Sequence, residues 1–266
     1  MSAKVDLYDS SYGNYALDVY RDVRLETYGE DFGQTSWVTT QESHEIPQLL
    51  ELKAGLRGLE IGCGSGDYAL YVAESCNCHI TGLELNAEGI RNATRLAEQK
   101  KLASQASFRE CDASQPLAFP DEAFDAVFAN DVFCHVPGRF SLLSELRRTL
   151  KPGGRLLFSD ALVIGGILSK EEMAVRSSIG PYYFVPPGEN EKLIERAGFQ
   201  LLLASDTTEQ ATTIAQRWHN AREKRKNLLV QIEGEANFAG LQRFLMCVHT
   251  LTRERRLLRY LYLACK

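Results

Sequence analysis

The chain has 266 residues, 44% hydrophobic and 24% charged, with a formal net charge of −5. That composition is ordinary for a folded globular enzyme and excludes bulk disorder, while a net negative charge gives no overall field for nucleic acid. No run of 18 apolar residues occurs and the stretch after Met1 has no apolar leader, so a cytoplasmic protein with no membrane attachment is expected.

Residues 5–30 carry Tyr8, Tyr12, Tyr15, Tyr20 and Tyr28 among charges, which predicts one or two short amphipathic helices forming a lid. The small polar loop 31–36, ending in Trp37, is of the kind that closes over ligands. Thr39-x-x-Glu42 predicts a capping box for a helix ending near Gly55. From Leu56 strands and helices alternate, with strands over 56–61, 79–85, 106–111, 124–129 and 154–159 and helices over 87–101 and 139–150. The segment Leu150-Lys151-Pro152-Gly153-Gly154 reads as a structural turn. After Asp160, Gly165-Gly166 and Gly180-Pro181 break the chain. A helix over 189–197 and a strand over 199–204 follow, then two long helical stretches over 209–233 and 238–256 and a final apolar strand over 257–264.

Alternation on this scale predicts a doubly wound α/β domain, a parallel sheet with helices on both faces and ligands at the carboxyl ends of the strands. No repeat or linker divides it, so residues 1–266 read as one domain. The seven cysteines (Cys63, Cys76, Cys78, Cys111, Cys134, Cys247 and Cys265) follow no framework spacing and read as reduced thiols. Cys76-x-Cys78 is not a zinc spacing, so no metal is expected.

The most informative stretch is Gly58-Leu59-Glu60-Ile61-Gly62-Cys63-Gly64-Ser65-Gly66-Asp67. An apolar strand that ends in glycines at alternate positions allows a sharp turn and lets a ligand approach bare amides, ahead of a helix that starts near Asp67. The spacing is Gly-x-Gly-x-Gly, not that of pyrophosphate binders. Glu60, two residues before the first glycine, suits a cation facing the loop; both features disfavour a nicotinamide oxidoreductase. Glu84, at the end of the second strand, has two oxygens that can accept from both hydroxyls of a ribose.

Glu60-Ile61-Gly62-Cys63-Gly64-Ser65-Gly66 resembles motif I of the class I S-adenosylmethionine-dependent methyltransferases, and the resemblance extends over about residues 55–205. It implies a Rossmann-like seven-stranded sheet whose last strand is antiparallel. It also implies a lid (1–40), a cofactor-binding core (41–164), acceptor-side elements with a helical insertion (165–256) and a last strand (257–266). The cofactor implied is S-adenosylmethionine, leaving as S-adenosylhomocysteine. Its loop would be Glu60, Gly62, Cys63, Gly64 and Gly66, its ribose acid Glu84 beside Leu85, its adenine contacts Asp112 and Ala113, and its methionine end Asn130, with Trp37 from the lid.

The segment Asn130-Asp131-Val132-Phe133-Cys134-His135 resembles, in Asp131 and His135, the Asp/His pair of phosphoethanolamine methyltransferases, and the sarcosine/dimethylglycine enzymes are similar as well. Four residues apart on a helical turn, Asp131 could orient His135 as general base; His135 could equally cap the helix after Pro137. Tyr15 aligns loosely with a catalytic and acceptor-binding lid tyrosine. Tyr182, with Tyr183, matches the acceptor site. Where phosphate-binding relatives place an arginine two residues before that tyrosine, this chain has Gly180, so a phosphorylated acceptor lacks its obvious anchor. The aromatic residues there could instead wall in a ring or an amine, or simply pack. The expected activity is methyl transfer to N or O of a small molecule, with no nucleic-acid or membrane partner. Alternatives are a natural-product C-methyltransferase, a macromolecule methyltransferase, or a module that binds the cofactor without catalysis.

Overall fold

Four of the five residues in β1 (Arg57–Ile61) are buried, a pattern that only a central strand covered on both faces requires. The computed structural model of the chain describes residues 5–266. Ahead of β1 come α1 (Tyr8–Gly13), α2 (Asp18–Tyr28) and α3 (Thr40–Leu49). The core then runs α4 (Asp67–Cys76), β2 (His79–Glu84), α5 (Ala87–Gln99), β3 (Ala106–Glu110), β4 (Phe124–Ala129), a 3₁₀ turn (Phe133–His135), α6 (Arg139–Thr149) and β5 (Leu150–Ile164). The remainder is α7 (Lys170–Arg176), α8 (Glu189–Arg196), β6 (Gln200–Asp206), α9 (Thr208–Lys224), α10 (Lys226–Glu233), α11 (Glu235–Arg253) and β7 (Leu257–Cys265).

The strands form one sheet in the order β3-β2-β1-β4-β5-β7-β6. β7 is antiparallel to both neighbours, and the β1–β2, β1–β4, β2–β3 and β4–β5 pairs are parallel. Strand order reverses between β1 and β4, which opens a crevice at their carboxyl ends. The seven-stranded sheet is the one expected.

Several boundaries differ for physical reasons. β5 is longer than the predicted 154–159 because its partner β7 continues the ladder from Arg155↔Cys265 to Ile164↔Leu257. The predicted turn at Leu150–Gly154 falls inside β5 as a register shift against β4, with Gly153 at φ +75°. The capping box at Thr39 and Glu42 is formed, yet α3 stops at Leu49, two residues after Pro47. The 209–233 stretch breaks at Arg225 into α9 and α10. A second capping box, Ser169 with Glu172, starts α7 between the breaks at Gly165-Gly166 and Gly180-Pro181, where no helix is expected from the sequence.

Two apolar clusters cover the two faces of the sheet, around Phe124, Leu146 and Phe158 on one side and Leu70, Phe128 and Leu157 on the other. A third cluster lies between the N-terminal helices and the insertion, where Trp37 meets Trp218 at 5.9 Å and Phe244 at 6.1 Å between ring centroids. The lid is therefore anchored to α9 and α11. No helix among the described residues is long and apolar enough to cross a membrane.

Candidate active site

Past β1 the chain is drawn towards β2: the amides of Gly62 and Cys63 both donate to the Leu83 carbonyl, at 2.7 and 2.9 Å. Gly64 and Gly66 then turn through positive φ, at +54° and +84°, for different reasons. A Cβ on Gly64 would sit 3.2 Å from Tyr12 Oη, so this position lets α1 close over the loop. A Cβ on Gly66 would meet Ala93 Cβ at 2.5 Å and its Cα at 2.9 Å; Gly66 caps α4 and lets α5 pack against it. Gly66 does not line the cavity, so its expected ligand contact is corrected to a packing role.

The cavity, about 460 Å³, lies at the carboxyl ends of β1, β2, β3 and β4. Glu60, Gly62, Cys63, Gly64, Glu84, Leu85, Asp112, Ala113 and Asn130 all line it. Two buried acceptors in this wall have no partner among the described residues, Glu60 Oε2 and Asn130 Oδ1. Burial, with Glu84 adding repulsion, pushes the Glu60 carboxyl well above its ordinary range. A cation arriving there would gain both an acceptor and a compensating charge.

Glu84 Oε2 accepts from the Gly64 amide at 3.1 Å and Oε1 from the Asn86 amide at 3.0 Å, which fixes the carboxylate over the glycine loop. Burial raises its pKa as well. Asp112 is exposed, and hydrogen bonds from Ser114 hold its carboxyl below the ordinary value. Leu85 is 68% exposed at the cavity edge, an apolar surface for a flat ring.

At the other end the expected Asp131–His135 pair is not formed. Asp131, at φ +58° and buried, accepts from Arg259 Nε at 2.9 Å, Ser159 Oγ at 2.9 Å and the Trp37 amide at 2.8 Å. These bonds tie β4 to β7 and to the lid. His135 instead faces Tyr8: Nε2 lies 2.9 Å from Tyr8 Oη, and Nδ1 lies 3.2 Å from the Pro181 carbonyl. A carbonyl only accepts, so Nδ1 carries the proton and Nε2 accepts from the phenol. Burial, reinforced by the Arg176 charge, lowers the His135 pKa to about 4, and burial pushes the Tyr8 phenol well up, with Tyr182 adding to it.

Three further expectations are corrected. Tyr15 lies outside this cavity, its ring under Arg24 at 4.5 Å, and Tyr8 and Tyr12 of α1 occupy the wall in its place. The Trp37 indole is buried in the lid core and only its amide points to the site, on Asp131. Tyr183 is exposed and engages only its backbone, to Cys134 and Arg139. Tyr182 stands behind the wall, 4.3 Å from the His135 ring, and buttresses the imidazole.

Tyr8 and Tyr12, expected from the sequence only as lid residues, stand in the cavity wall, and their i, i+4 spacing on one helix face is the signal that places them together. Arg259, a lone arginine in an apolar strand for which no role is expected from the sequence, is 0% exposed and held by Asp131, Glu42 and Thr207.

Residues 59–158 match the model of the methyltransferase domain family. Among curated relatives, phosphoethanolamine N-methyltransferase of Triticum aestivum is 28% identical over 79% of this chain; the chain spans only 41% of that enzyme. The 27-O-demethylrifamycin SV methyltransferase of Amycolatopsis mediterranei is 27% identical over 78% of this chain and 82% of its own. Among solved structures, phosphoethanolamine N-methyltransferase 2 of Haemonchus contortus, in complex with S-adenosyl-L-methionine, aligns with a TM-score of 0.80 at 22% identity. That alignment covers 96% of this chain and 60% of that one. A cyclopropane synthase of Mycobacterium tuberculosis aligns at 0.79 with 17% identity, covering 98% and 99%. These relatives are named for different chemistries, so the shared fold does not name the acceptor. The domain match places a methyltransferase domain at residues 59–158, the part of the sheet that carries the glycine loop and its flanking acids.

Proposed function

We propose that the protein transfers a methyl group from S-adenosylmethionine to a nitrogen or oxygen of a small-molecule acceptor, with Tyr8 and His135 at the transfer end of the cavity. The observation that carries this reading is the unpartnered Glu60 Oε2, buried in the wall of the cavity that also holds the Tyr8–His135 pair. Glu60 and Asn130 would receive the ammonium end of the cofactor, Glu84 its ribose, and Leu85, Asp112 and Ala113 its base. Bound there, the cofactor supplies an already activated methyl on a sulfonium. The remaining work for the chain is to align the acceptor and remove its proton.

Tyr8 can do the second task through His135. As the acceptor gives its proton to Tyr8 Oη, the phenolic proton passes along the existing hydrogen bond to Nε2, leaving an imidazolium whose Nδ1–H stays on the Pro181 carbonyl. The enclosing lid, pinned by Asn86 Nδ2 to Asp9 and by Asn92 Nδ2 to the Tyr12 carbonyl, favours small acceptors.

The experiment is a screen of amines, phenols and acids with methyl-labelled S-adenosylmethionine, read by mass spectrometry. Label transfer to at least one small molecule is expected. Tight binding of S-adenosylhomocysteine with no transfer to any class would favour a module that binds the cofactor without catalysis.

A further inference from the structure

Arg176, the last residue of α7, is 1% exposed, and none of its three guanidinium nitrogens makes a well-formed hydrogen bond among the described residues, the Tyr182 hydroxyl being the polar group close enough to interact with it. The acids of the neighbouring elements are committed elsewhere: Glu172 to Arg256, Asp160 to Arg139, Asp131 to Arg259. What surrounds the guanidinium is aromatic. Its carbon lies 4.3 Å from the ring centroid of Tyr182, 5.1 Å from Phe244 and 5.7 Å from Trp37. Ring faces recover part of the cost of desolvating a cation, but they leave its five N–H donors without proper acceptors. A buried cation in this condition is costly unless an anion completes it.

The position of the guanidinium says what that anion belongs to. Tyr182, which it covers, packs on His135, and Tyr8, His135 and residues 179–181 form the cavity wall just in front. Tyr182 sits on the irregular stretch between α7 and α8, outside any helix or strand, and an acid group would reach the guanidinium only with its ring turned aside. We propose that the methyl acceptor carries an acid group, carboxylate or phosphate, which Arg176 receives beside Tyr8 and Tyr182 while the atom to be methylated stays at the Tyr8–His135 pair. This rests on the methyltransferase reading above and supplies the anchor that Gly180 withholds, from a position four residues earlier in the chain.

The electrostatics agree. Arg176 is one of the groups that hold His135 unprotonated; the Pro181 carbonyl, Asp131 and Asp160 act the other way. An acid group on Arg176 would cancel its repulsion and make the imidazole a better base only when the correct acceptor is in place.

The test is thermal unfolding of the full chain, with and without S-adenosylhomocysteine, in concentration series of inorganic phosphate, acetate and neutral acetamide. Parent, Arg176→Lys and Arg176→Met proteins are compared, and the His135 imidazole is titrated by NMR in the same buffers. For the parent, phosphate or acetate should raise Tm with saturation and raise the His135 pKa, and acetamide should do neither. The half-saturating concentration should rise about tenfold or more in Arg176→Met and less in Arg176→Lys, as expected for loss of a charge-assisted bidentate contact. Whichever anion saturates earlier assigns the acid as phosphate or carboxylate. Unsaturating stabilisation that is equal in parent and Arg176→Met is general salt exclusion and overturns the proposal, as does the absence of any response. If Arg176→Met does not fold, an unchanged half-saturation in Arg176→Lys overturns it. Stabilisation by S-adenosylhomocysteine without saturable anion binding removes the acid group alone; saturable, Arg176-dependent anion binding without it keeps the acid site and removes the methyl donor.

Discussion

Arg259 Nε donates to Asp131 Oδ1 at 2.9 Å, so the last strand neutralises the carboxylate that follows β4. Both side chains are buried, and the same guanidinium reaches Glu42 of α3 through Nη1. Removing Asp131 leaves Arg259 paired with Glu42 alone and takes the acceptor from three buried donors, Arg259 Nε, Ser159 Oγ and the Trp37 amide. Asp131→Ala should therefore destabilise the fold by about 3–5 kcal/mol. Asp131→Asn should cost less, because asparagine also tolerates the positive φ at this position and its oxygen still accepts hydrogen bonds. Urea unfolding measures both, and a loss under about 1 kcal/mol for the alanine variant would show that the cluster does not hold the two strands.

Cofactor affinity should depend on pH through Glu60. Its raised pKa means that the free protein holds a proton there over part of the range in which an ordinary glutamate is ionised, and only the carboxylate attracts an ammonium. Affinity for S-adenosylhomocysteine should fall as pH drops through that raised pKa. In Glu60→Gln it should be lower at high pH, with the slope largely gone. Calorimetry across pH gives the answer, and an identical slope in the glutamine variant would move the titration to Glu84.

Two glycines in one loop should behave differently. Gly64→Val places a branched side chain against Tyr12 and should abolish cofactor binding in a protein that still folds, since the strain falls on the lid contact. Gly66→Ala instead drives a methyl into Ala93 and should lower stability by about 1–3 kcal/mol, with cofactor affinity lost only in proportion. Circular dichroism melts and ligand titrations on both variants separate the two roles. Equal stability losses would erase the distinction.

His135→Ala should lower kcat by roughly 10²–10⁴, the usual worth of a positioned base, and leave cofactor affinity nearly intact. Tyr8→Phe should lose a comparable factor, because it removes the hydroxyl through which the proton reaches Nε2. Single-turnover transfer with any acceptor found in the screen is the measurement. Rates within threefold of the parent for both variants would leave alignment alone to explain catalysis.

The same histidine predicts an acid limb in stability. Its pKa is about 4 in the folded protein against 6.5 for a free side chain, with burial the main cause. Between those values the unfolded chain takes up a proton that the folded one refuses, so this contribution is complete above about pH 6.5 and is lost as pH falls towards 4. His135→Gln should flatten that part of the slope in denaturation series between pH 7 and pH 5. Parallel slopes for the two proteins would place the acid sensitivity elsewhere.

The sheet was legible because each strand announces itself locally: apolar runs, glycine turns and the Thr39 capping box need no knowledge of distant contacts. The cavity wall was legible for a related reason, since Glu60, Glu84 and Asp112 each sit at or just beyond a strand end, and strand ends converge by topology. The four-residue spacing of Asp131 and His135 does not bring them together, because it implies contact only on a regular helix. The chain instead makes a positive-φ step at Asp131 and a short 3₁₀ turn, which aims the carboxylate at β7 and the imidazole at the lid. Their true partners, Arg259 and Tyr8, lie 128 and 127 residues away in sequence, where local pattern carries no information. Trp37 misled for the converse reason: a tryptophan after a polar loop resembles a ligand contact, yet Trp218 and Phe244 bury it.

The placement of β7 between β5 and β6 has a consequence for the order of assembly. During synthesis β1 to β5 can pair as they emerge, but β6 hydrogen-bonds only to β7, which leaves the ribosome after every other strand. Until then β6 has no neighbour, β5 presents an open edge, and Asp131 and Glu42 lack the cation that settles them. The nascent domain should therefore pass through a stage with five of its seven strands paired and its cavity unfinished, the stage at which chaperones would find most to hold.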